Sequence, residues 1–566
     1  MPAQKTAPEP LAPVPFQIPS AFETTLPNGL RVVIFENERL PLVSYRLAFF
    51  SGDAHDTEDH IGLTSAMTSM LTEGTEEHSS RELAEKIERL GAALNVSSSD
   101  DFTIISASAL SIYSDDVLAL LAEVVFRPTY PEEELDLYRR NTIENLKFQR
   151  SQPNFLANEQ TSRILYGEHP YATISPKAAD IERLTREGLV KLHEQRLLPN
   201  NAVLIVVGDV EREELLSKLN GHFDDWPRGN APAAANPELP IRSKRTITIV
   251  DRPGSAQSNI VLANLAVNRT NPDYFAVLVM NQVLGAGASS RVFMNLREDK
   301  GYTYGAYTRL DMKKLAGDFE ATAEVRTPVT GDSLREFFYE LNRIRDERVP
   351  DHELADAKNY LTGVFPLRAE TQEGMTGLIL NQQLYGLPAD YLQSYRDNVN
   401  AVSADDVERV ARQYIHPDEL AIVIVGDAGE VLPQVREYAE DVEIFDTDGN
   451  VKVVSDYDVP ESIETADLDG VWQLSLDFQG QAVPVTLTLK QDGESIVGNL
   501  ETMLGTGEIK TGSVKGNRFT GTAVTDMQGQ ELELSISGKL NGEGISGTIT
   551  APIMPEPLTF TGVRSA

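Results

Sequence analysis

Pro199-Asn-Asn-Ala-Val-Leu-Ile-Val-Val-Gly208-Asp209 has a near copy 218 residues further on, Pro417-Asp-Glu-Leu-Ala-Ile-Val-Ile-Val-Gly426-Asp427. Both are short, continuous apolar runs rich in β-branched residues, opened by Pro and closed by Gly-Asp, so each reads as a buried strand. A second pair of landmarks repeats at 219 residues: Pro131-Glu-Glu-Glu134-Leu135 and Pro350-Asp-His-Glu353-Leu354, each opening a long helical pattern. Two independent landmarks at nearly one offset imply two homologous domains of about 220 residues.

Each repeat mixes strands with amphipathic helices, which predicts helices on one face of a largely antiparallel sheet. Beyond about residue 450 helical periodicity stops. Short alternating runs such as Val471-Trp-Gln-Leu-Ser-Leu476 and Leu532-Glu-Leu-Ser-Ile-Ser537 follow between Gly-containing turns, as in a small antiparallel barrel or sandwich. The fold class is α+β with a separate all-β domain. The expected division is a Pro/Ala-rich arm over 1–20 that packs no core, a first domain over 21–228, and a linker over 229–243. A second domain over 244–445, a linker over 446–466 and the all-β domain over 467–566 complete it.

Hydrophobic content of 41% and charged content of 24% are those of a folded soluble chain, which removes disorder as the default. The 86 acidic against 50 basic residues leave a net charge of −36. Such a field repels phosphate backbones, so nucleic acid and anionic membrane surfaces are poor partners; it either serves solubility or draws in cationic peptides. There is no cysteine, hence no disulfide, thiolate metal site or Cys nucleophile. No run is long and apolar enough for a membrane span. The opening residues are similar to what an export signal leaves behind, so a periplasmic or otherwise exported location is expected, with the cytoplasm as the alternative.

The stretch Gly62-Leu-Thr-Ser65-Ala-Met-Thr68-Ser69-Met-Leu-Thr-Glu-Gly74-Thr75 resembles the metal-binding helix of the pitrilysin/insulinase family of zinc peptidases, G-L-x-H-x-x-E-H-M-L-x-x-G-T. In active members, the resemblance implies, the two His hold zinc and the Glu activates water. Here those positions carry Ser65, Thr68 and Ser69. The family's third ligand, a Glu about 75 residues on, falls on Asn145. Glu144 is one residue off, which turns it about 100° around a helix and away from the site. Hydroxyls and an amide are weak neutral donors for zinc, so no metal is expected in this chain. His55-Asp-Thr-Glu58-Asp59-His60 has H-x-x-E-x-H spacing and is read as a solvated acidic loop. A hydrolase built on Ser65 or Ser69 lacks a base evident in the sequence.

The second repeat keeps Leu284-Gly-Ala-Gly287-Ala-Ser-Ser-Arg291-Val-Phe-Met-Asn-Leu296-Arg297-Glu-Asp-Lys-Gly301-Tyr-Thr-Tyr304, which closely resembles the family signature L-G-x-G-x-S-S-R-L-F-x-x-L-R-E-x-x-G-x-x-Y. His169-Pro170-Tyr171 also fits the family pattern. The resemblance spans roughly residues 20 to 440 and implies that Arg297 and Tyr304 act in trans on a partner's zinc site. Gly285 and Gly287 read as turn residues rather than a phosphate cradle. The implied function is a non-catalytic subunit that pairs with a homologous zinc-bearing subunit, as a heterodimer or larger assembly, to cleave a peptide substrate. Zinc is then expected in the partner. The alternative is a structural or binding protein of the same fold with no role in proteolysis.

Overall fold

The computed structural model describes residues 18–457, 466–478, 481–502, 505–527, 530–542, 544–550 and 558–565. The first seventeen residues of the arm and residues 458–465 of the second linker lie outside the described residues.

The first repeat supplies β1 (Phe22–Thr25), β2 (Arg31–Glu36), β3 (Leu42–Phe49), β4 (Ala93–Ser98), β5 (Thr103–Leu110) and β6 (Ala202–Gly208). They form a six-stranded sheet in the order β1-β2-β6-β3-β5-β4. The second supplies β7 (Thr246–Asp251), β8 (Gln257–Leu265), β9 (Thr303–Met312), β10 (Gly317–Arg326), β11 (Ala421–Gly426), β12 (Asp441–Phe445) and β13 (Val451–Lys452), ordered β13-β12-β7-β11-β8-β10-β9. The series β2-β6-β3-β5-β4 and β7-β11-β8-β10-β9 have the same connectivity. In both, the strand of the duplicated motif lies parallel to one neighbour and antiparallel to the other. The duplication read from the sequence is thus a duplication of sheet topology.

Every residue of β6 and β11 is buried, and that burial explains their unbroken apolar runs: both faces of each sheet are covered. The expectation of helices on one face was incomplete. The inner face of the first sheet packs on its own helices, Leu63–Ser69 and Ser114–Phe126 among them. Its outer face, carrying Val203, Ile205 and Val207, is covered by Met375, Ile379 and Leu380 of the second repeat's helix Gln372–Leu384. Reciprocally, Leu156, Ala157 and Leu165 of the first repeat's helix Pro153–Tyr166 cover Val250, Val261, Val423 and Val425 of the second sheet. Ile18, at the end of the arm, is buried in the first of these shared cores, so the arm does contribute to packing.

Polar contacts finish the seam. Gln372 Nε2 donates to the Val207 carbonyl at 2.8 Å, Tyr166 Oη donates to Asp318 Oδ2 at 2.6 Å, and the Tyr171 hydroxyl donates to Asp101. Lys313 pairs with Asp100 at 2.6 Å.

The second sheet extends to Lys452 through β13, inside the span read as a linker. The C-terminal strands are β14 (Gly470–Phe478), β15 (Gln481–Asp492), β16 (Ser495–Thr502), β17 (Gly505–Lys515), β18 (Arg518–Met527), β19 (Gln530–Asn541), β20 (Gly544–Thr550) and β21 (Leu558–Arg564). They form a closed, sequentially ordered barrel, β21 returning to β14. Closure removes free sheet edges. Trp472, Leu487, Phe519 and Phe560 fill the core, so this unit has its own apolar interior. Arg518 stacks over Tyr457, 5.4 Å from the ring centroid, and donates to the Asp456 carbonyl at 2.9 Å; Tyr457 in turn donates to Asp251 at 2.6 Å. These contacts attach the barrel to the second domain.

Candidate functional site

The helix Leu63–Ser69 starts at Gly62, whose φ of 85° is left-handed and suits glycine. It presents Ser65, Thr68 and Ser69 on one side, as positions i, i+3 and i+4 must. The site they line is closed by groups from three other elements. Ser65 Oγ donates to Asp53 Oδ1 at 2.9 Å and lies 3.0 Å from Ser98 Oγ. Ser98, at the end of β4, donates to both oxygens of Asp53, at 3.2 and 3.1 Å. On the other side burial raises the Tyr138 phenol, and the nearby Thr142 and Ser69 hydroxyls oppose the rise. Tyr138, Thr142 and Asn145 follow one another at i, i+4 and i+7 along the helix Glu132–Arg150 and so share a face. Glu144 instead projects to solvent, with its side chain 71% exposed and paired with Lys147 at 2.7 Å. The one-residue offset therefore does remove it from the site.

Asp53 is the acid of this cluster. Burial pushes its carboxyl up to about 6, the nearby Asp56 and Asp100 add to the rise, and the Ser65 and Ser98 hydroxyls oppose it. The loop that carries it is anchored by the buried Arg196, which donates to the His55 carbonyl and, at 3.2 Å, to Thr64 Oγ1, and pairs with Asp56 at 3.6 Å. The H-x-x-E-x-H run is thus more than a solvated loop. His55 accepts the Gly52 N–H on Nδ1 at 3.1 Å, and burial together with Arg196 pushes its imidazole down to about 4. His55 is held neutral as part of the loop's structure.

Zinc does not fit these residues. A catalytic zinc takes three protein ligands from imidazole, thiolate or carboxylate; the locus offers three hydroxyls, an amide and one carboxylate already engaged by two hydroxyls. The Thr68 hydroxyl is buried without a partner, so that side chain serves as packing. Among the described residues one group of three ligand-type side chains converges, Glu77, His78 and Glu123, with ligand atoms within 4.8 Å. All three are committed elsewhere. His78 Nδ1 meets Glu123 Oε1 at 2.8 Å, the Thr75 hydroxyl donates to the same oxygen, and Glu77 pairs with Arg127. They clamp the segment after the helix.

Arg297 and Tyr304 lie elsewhere, joined to none of Ser65, Thr68, Ser69 or Asn145 by a hydrogen bond or ion pair among the described residues. Arg297 lies on the π-helix Met294–Asp299, its guanidinium 4.9 Å over the Phe293 ring, 3.2 Å from Glu298 and 45% exposed. Tyr304, at the start of the edge strand β9, is 89% exposed. Gly285 lets its loop close on β9, where the Thr308 N–H donates to the Gly285 carbonyl at 2.9 Å; a Cβ there would run into the Thr308 amide. This is the turn role read for Gly285. His169 and Tyr171 are buried at the seam. His169 Nδ1 accepts the Tyr171 N–H at 3.2 Å, and the Tyr171 hydroxyl accepts the Leu315 N–H at 3.3 Å.

The sequence reading missed Asp53, Ser98 and Tyr138 because they come from separate elements at no motif spacing. Only Asp53 had a signal, as an acid beside the H-x-x-E-x-H run.

Residues 31–175 match the model of the insulinase family, peptidase family M16, and residues 183–361 match that of the peptidase M16 inactive domain. The barrel lies outside both matches. An uncharacterized zinc protease of Bacillus subtilis, YmxG, is 24% identical over 413 residues, covering 72% of this chain and 98% of that protein. A non-peptidase homolog, YmxG of Helicobacter pylori, is 23% identical over 397 residues, covering 70% and 91%. The crystal structure of a peptidase M16 inactive domain from Pseudomonas fluorescens superposes with a TM-score of 0.68 at 27% identity, covering 72% of this chain and 98% of that one.

Proposed function

The chain belongs to the insulinase family of peptidases, M16, as a member without the family's zinc donors, and we propose that it is the non-catalytic partner of a homologous zinc-bearing subunit in a peptide-cleaving complex. Zinc and the activated water belong to the partner; this chain contributes Arg297 and Tyr304. Water attacking a peptide carbonyl builds negative charge on oxygen, and a guanidinium with a phenol hydroxyl can donate to that oxyanion or hold the substrate backbone.

The observation that carries this reading is the exposure of the pair. A Tyr 89% exposed and a half-exposed Arg held over an aromatic ring do nothing for this chain's own core. Such a pair is available to a second molecule. A scaffold with no part in proteolysis is the competing reading, favoured by the hydrogen bonds that close the former metal locus.

The test is co-purification with a homologous chain carrying H-x-x-E-H, followed by peptidase assay and metal analysis. Arg297→Ala or Tyr304→Phe is expected to lower activity by at least about tenfold while co-elution persists. Unchanged activity in both variants supports the scaffold, and zinc-dependent cleavage by this chain alone refutes both readings.

A further inference from the structure

The former metal locus holds a second kind of chemistry. Ser65 Oγ donates to Asp53 Oδ1 at 2.9 Å, and Ser98 donates to both Asp53 oxygens, at 3.2 and 3.1 Å. A hydroxyl within hydrogen-bond reach of a base, with that base oriented by a third group, is the constellation of an activated nucleophile. No base for Ser65 was evident in the sequence; the fold supplies one 12 residues upstream.

The Asp53 carboxylate is not what holds its loop. Gly52 packs so closely on the turn between β4 and β5 that a Cβ would strike the Ser99 carbonyl and the Phe102 amide. The Asp53 and Ala54 N–H groups donate to the Ser99 and Asp100 carbonyls at 2.8 and 2.9 Å, while Asp56 and Arg196 tie the same loop to Thr64. Main chain and Asp56 thus fix where Asp53 sits, which is the rigidity a catalytic group requires. Asp53, Ser65 and Ser98 are half-buried, and Ser69, one turn further along the same side of the helix, is exposed, so the cluster meets solvent on one side. The acid is also tuned. Burial raises Asp53 most, the Ser65 and Ser98 hydroxyls oppose the rise, and Asp56 and Asp100 add to it. Arg196 and the Tyr138 phenol are the other ionisable groups that feel its charge. A carboxyl raised to about 6 is a stronger base than an ordinary Asp and is still ionised at neutral pH.

We propose that Ser65 is a nucleophile with Asp53 as its general base, and that this chain by itself hydrolyses carboxylic esters. Ser65 Oγ bonds to the carbonyl carbon as its proton passes to Asp53 Oδ1, and the carbonyl electron pair moves onto oxygen, toward which the Ser69 hydroxyl donates. Collapse of that intermediate restores the carbonyl and breaks the bond to the alcohol oxygen, which leaves with the proton from Asp53. Water, deprotonated in turn by Asp53, then attacks the acyl carbon; the bond to Ser65 Oγ breaks, the proton returns to that oxygen and the acid is released. Esters are the class because an alcohol oxygen leaves more easily than an amide nitrogen and the oxyanion here meets hydroxyl donors. Ser98 acts through Asp53 and is a positioning residue. The activity asks nothing of a zinc-bearing partner, so it stands or fails separately from that reading.

The test uses the full chain, with EDTA in every buffer, p-nitrophenyl acetate as substrate and a fluorophosphonate probe whose site of attachment is read by peptide mass spectrometry. The label is expected on Ser65, with a burst of about one acetyl group per chain. Hydrolysis should rise with pH through about 6 and level off above it, since Asp53 must be ionised to act. Ser65→Ala should abolish label and burst, and Asp53→Asn should slow hydrolysis at least about a hundredfold. Ser98→Ala removes a hydrogen bond that holds the Asp53 pKa down, so its profile should move to higher pH, which a merely structural defect would not produce. Mapping the label on the unaltered chain requires no variant to fold. A label on another residue, no label at all, or hydrolysis undiminished by Ser65→Ala overturns the proposal.

Discussion

Asp318→Asn should make the seam between the two domains insensitive to pH. Asp318 is 4% exposed on β10. Burial is the largest cause of its raised pKa, followed by Glu320 beside it; the Tyr166 hydroxyl opposes the rise, Asp311 adds to it and Arg309 opposes it. Together they push the carboxyl from 3.8 up to about 7. One Asp318 oxygen accepts from Tyr166 across the seam, and the other is buried without a partner. The folded chain therefore keeps this proton up to about pH 7, while the unfolded chain releases it near 3.8. Between those values the folded state binds more protons, so stability falls as pH rises and levels off above about 7.

The pI of about 4.6 makes the acid end prone to precipitation, so the useful window starts near pH 5.5. From there to neutrality about 1.5 pKa units remain, or about 2 kcal/mol. For the two interlocked repeats melting as one unit of about 430 residues, that is roughly 2 °C in Tm. Differential scanning calorimetry from about pH 5.5 to 8.5, with hydrogen exchange on the helix Pro153–Tyr166, measures it. The parent should lose that amount relative to Asp318→Asn, whose amide carries no charge. Parallel pH profiles for the two proteins would refute the reasoning.

Other expectations follow from the same geometry. Installing the four family donors as Ser65→His/Thr68→Glu/Ser69→His/Asn145→Glu should not give stoichiometric zinc by metal analysis until Tyr138→Ala also clears the buried phenol near Ser69. Gly285→Ala should cost about 1–3 kcal/mol by overpacking and displace the start of β9, seen as a lowered Tm and altered hydrogen exchange around Tyr304. Leu487→Ala, in the barrel core, should cost about 2–5 kcal/mol and move the fluorescence transition of Trp472 while leaving that of Trp226 in place. A coupled shift of both would show that the barrel does not melt separately.

The duplication was legible because a strand buried on both faces has to be apolar throughout, and β6 and β11 both are. The barrel was legible from its alternating runs, since a closed sheet with a packed interior demands period two. Loss of the zinc donors could be read position by position, since helix geometry fixes which residues share a face. What replaced them could not. Asp53, Ser98 and Tyr138 meet only through tertiary packing, and hydroxyl contacts leave no spacing in the chain. The exchange of helices was equally hidden. Leu156, Ala157 and Leu165 read as the apolar side of a helix on its own sheet, and an amphipathic stripe does not say whose sheet it covers.

The exchanged helices bear on how the chain is made. On a ribosome β6 is complete at Gly208, yet the helix that seals its outer face begins at Gln372. At about 5–20 residues per second that face of Val203, Ile205 and Val207 waits on the order of ten to thirty seconds for its cover. Throughout that interval the nascent first domain is a natural client for a holding chaperone, and translation speed across residues 209–372 becomes a determinant of yield.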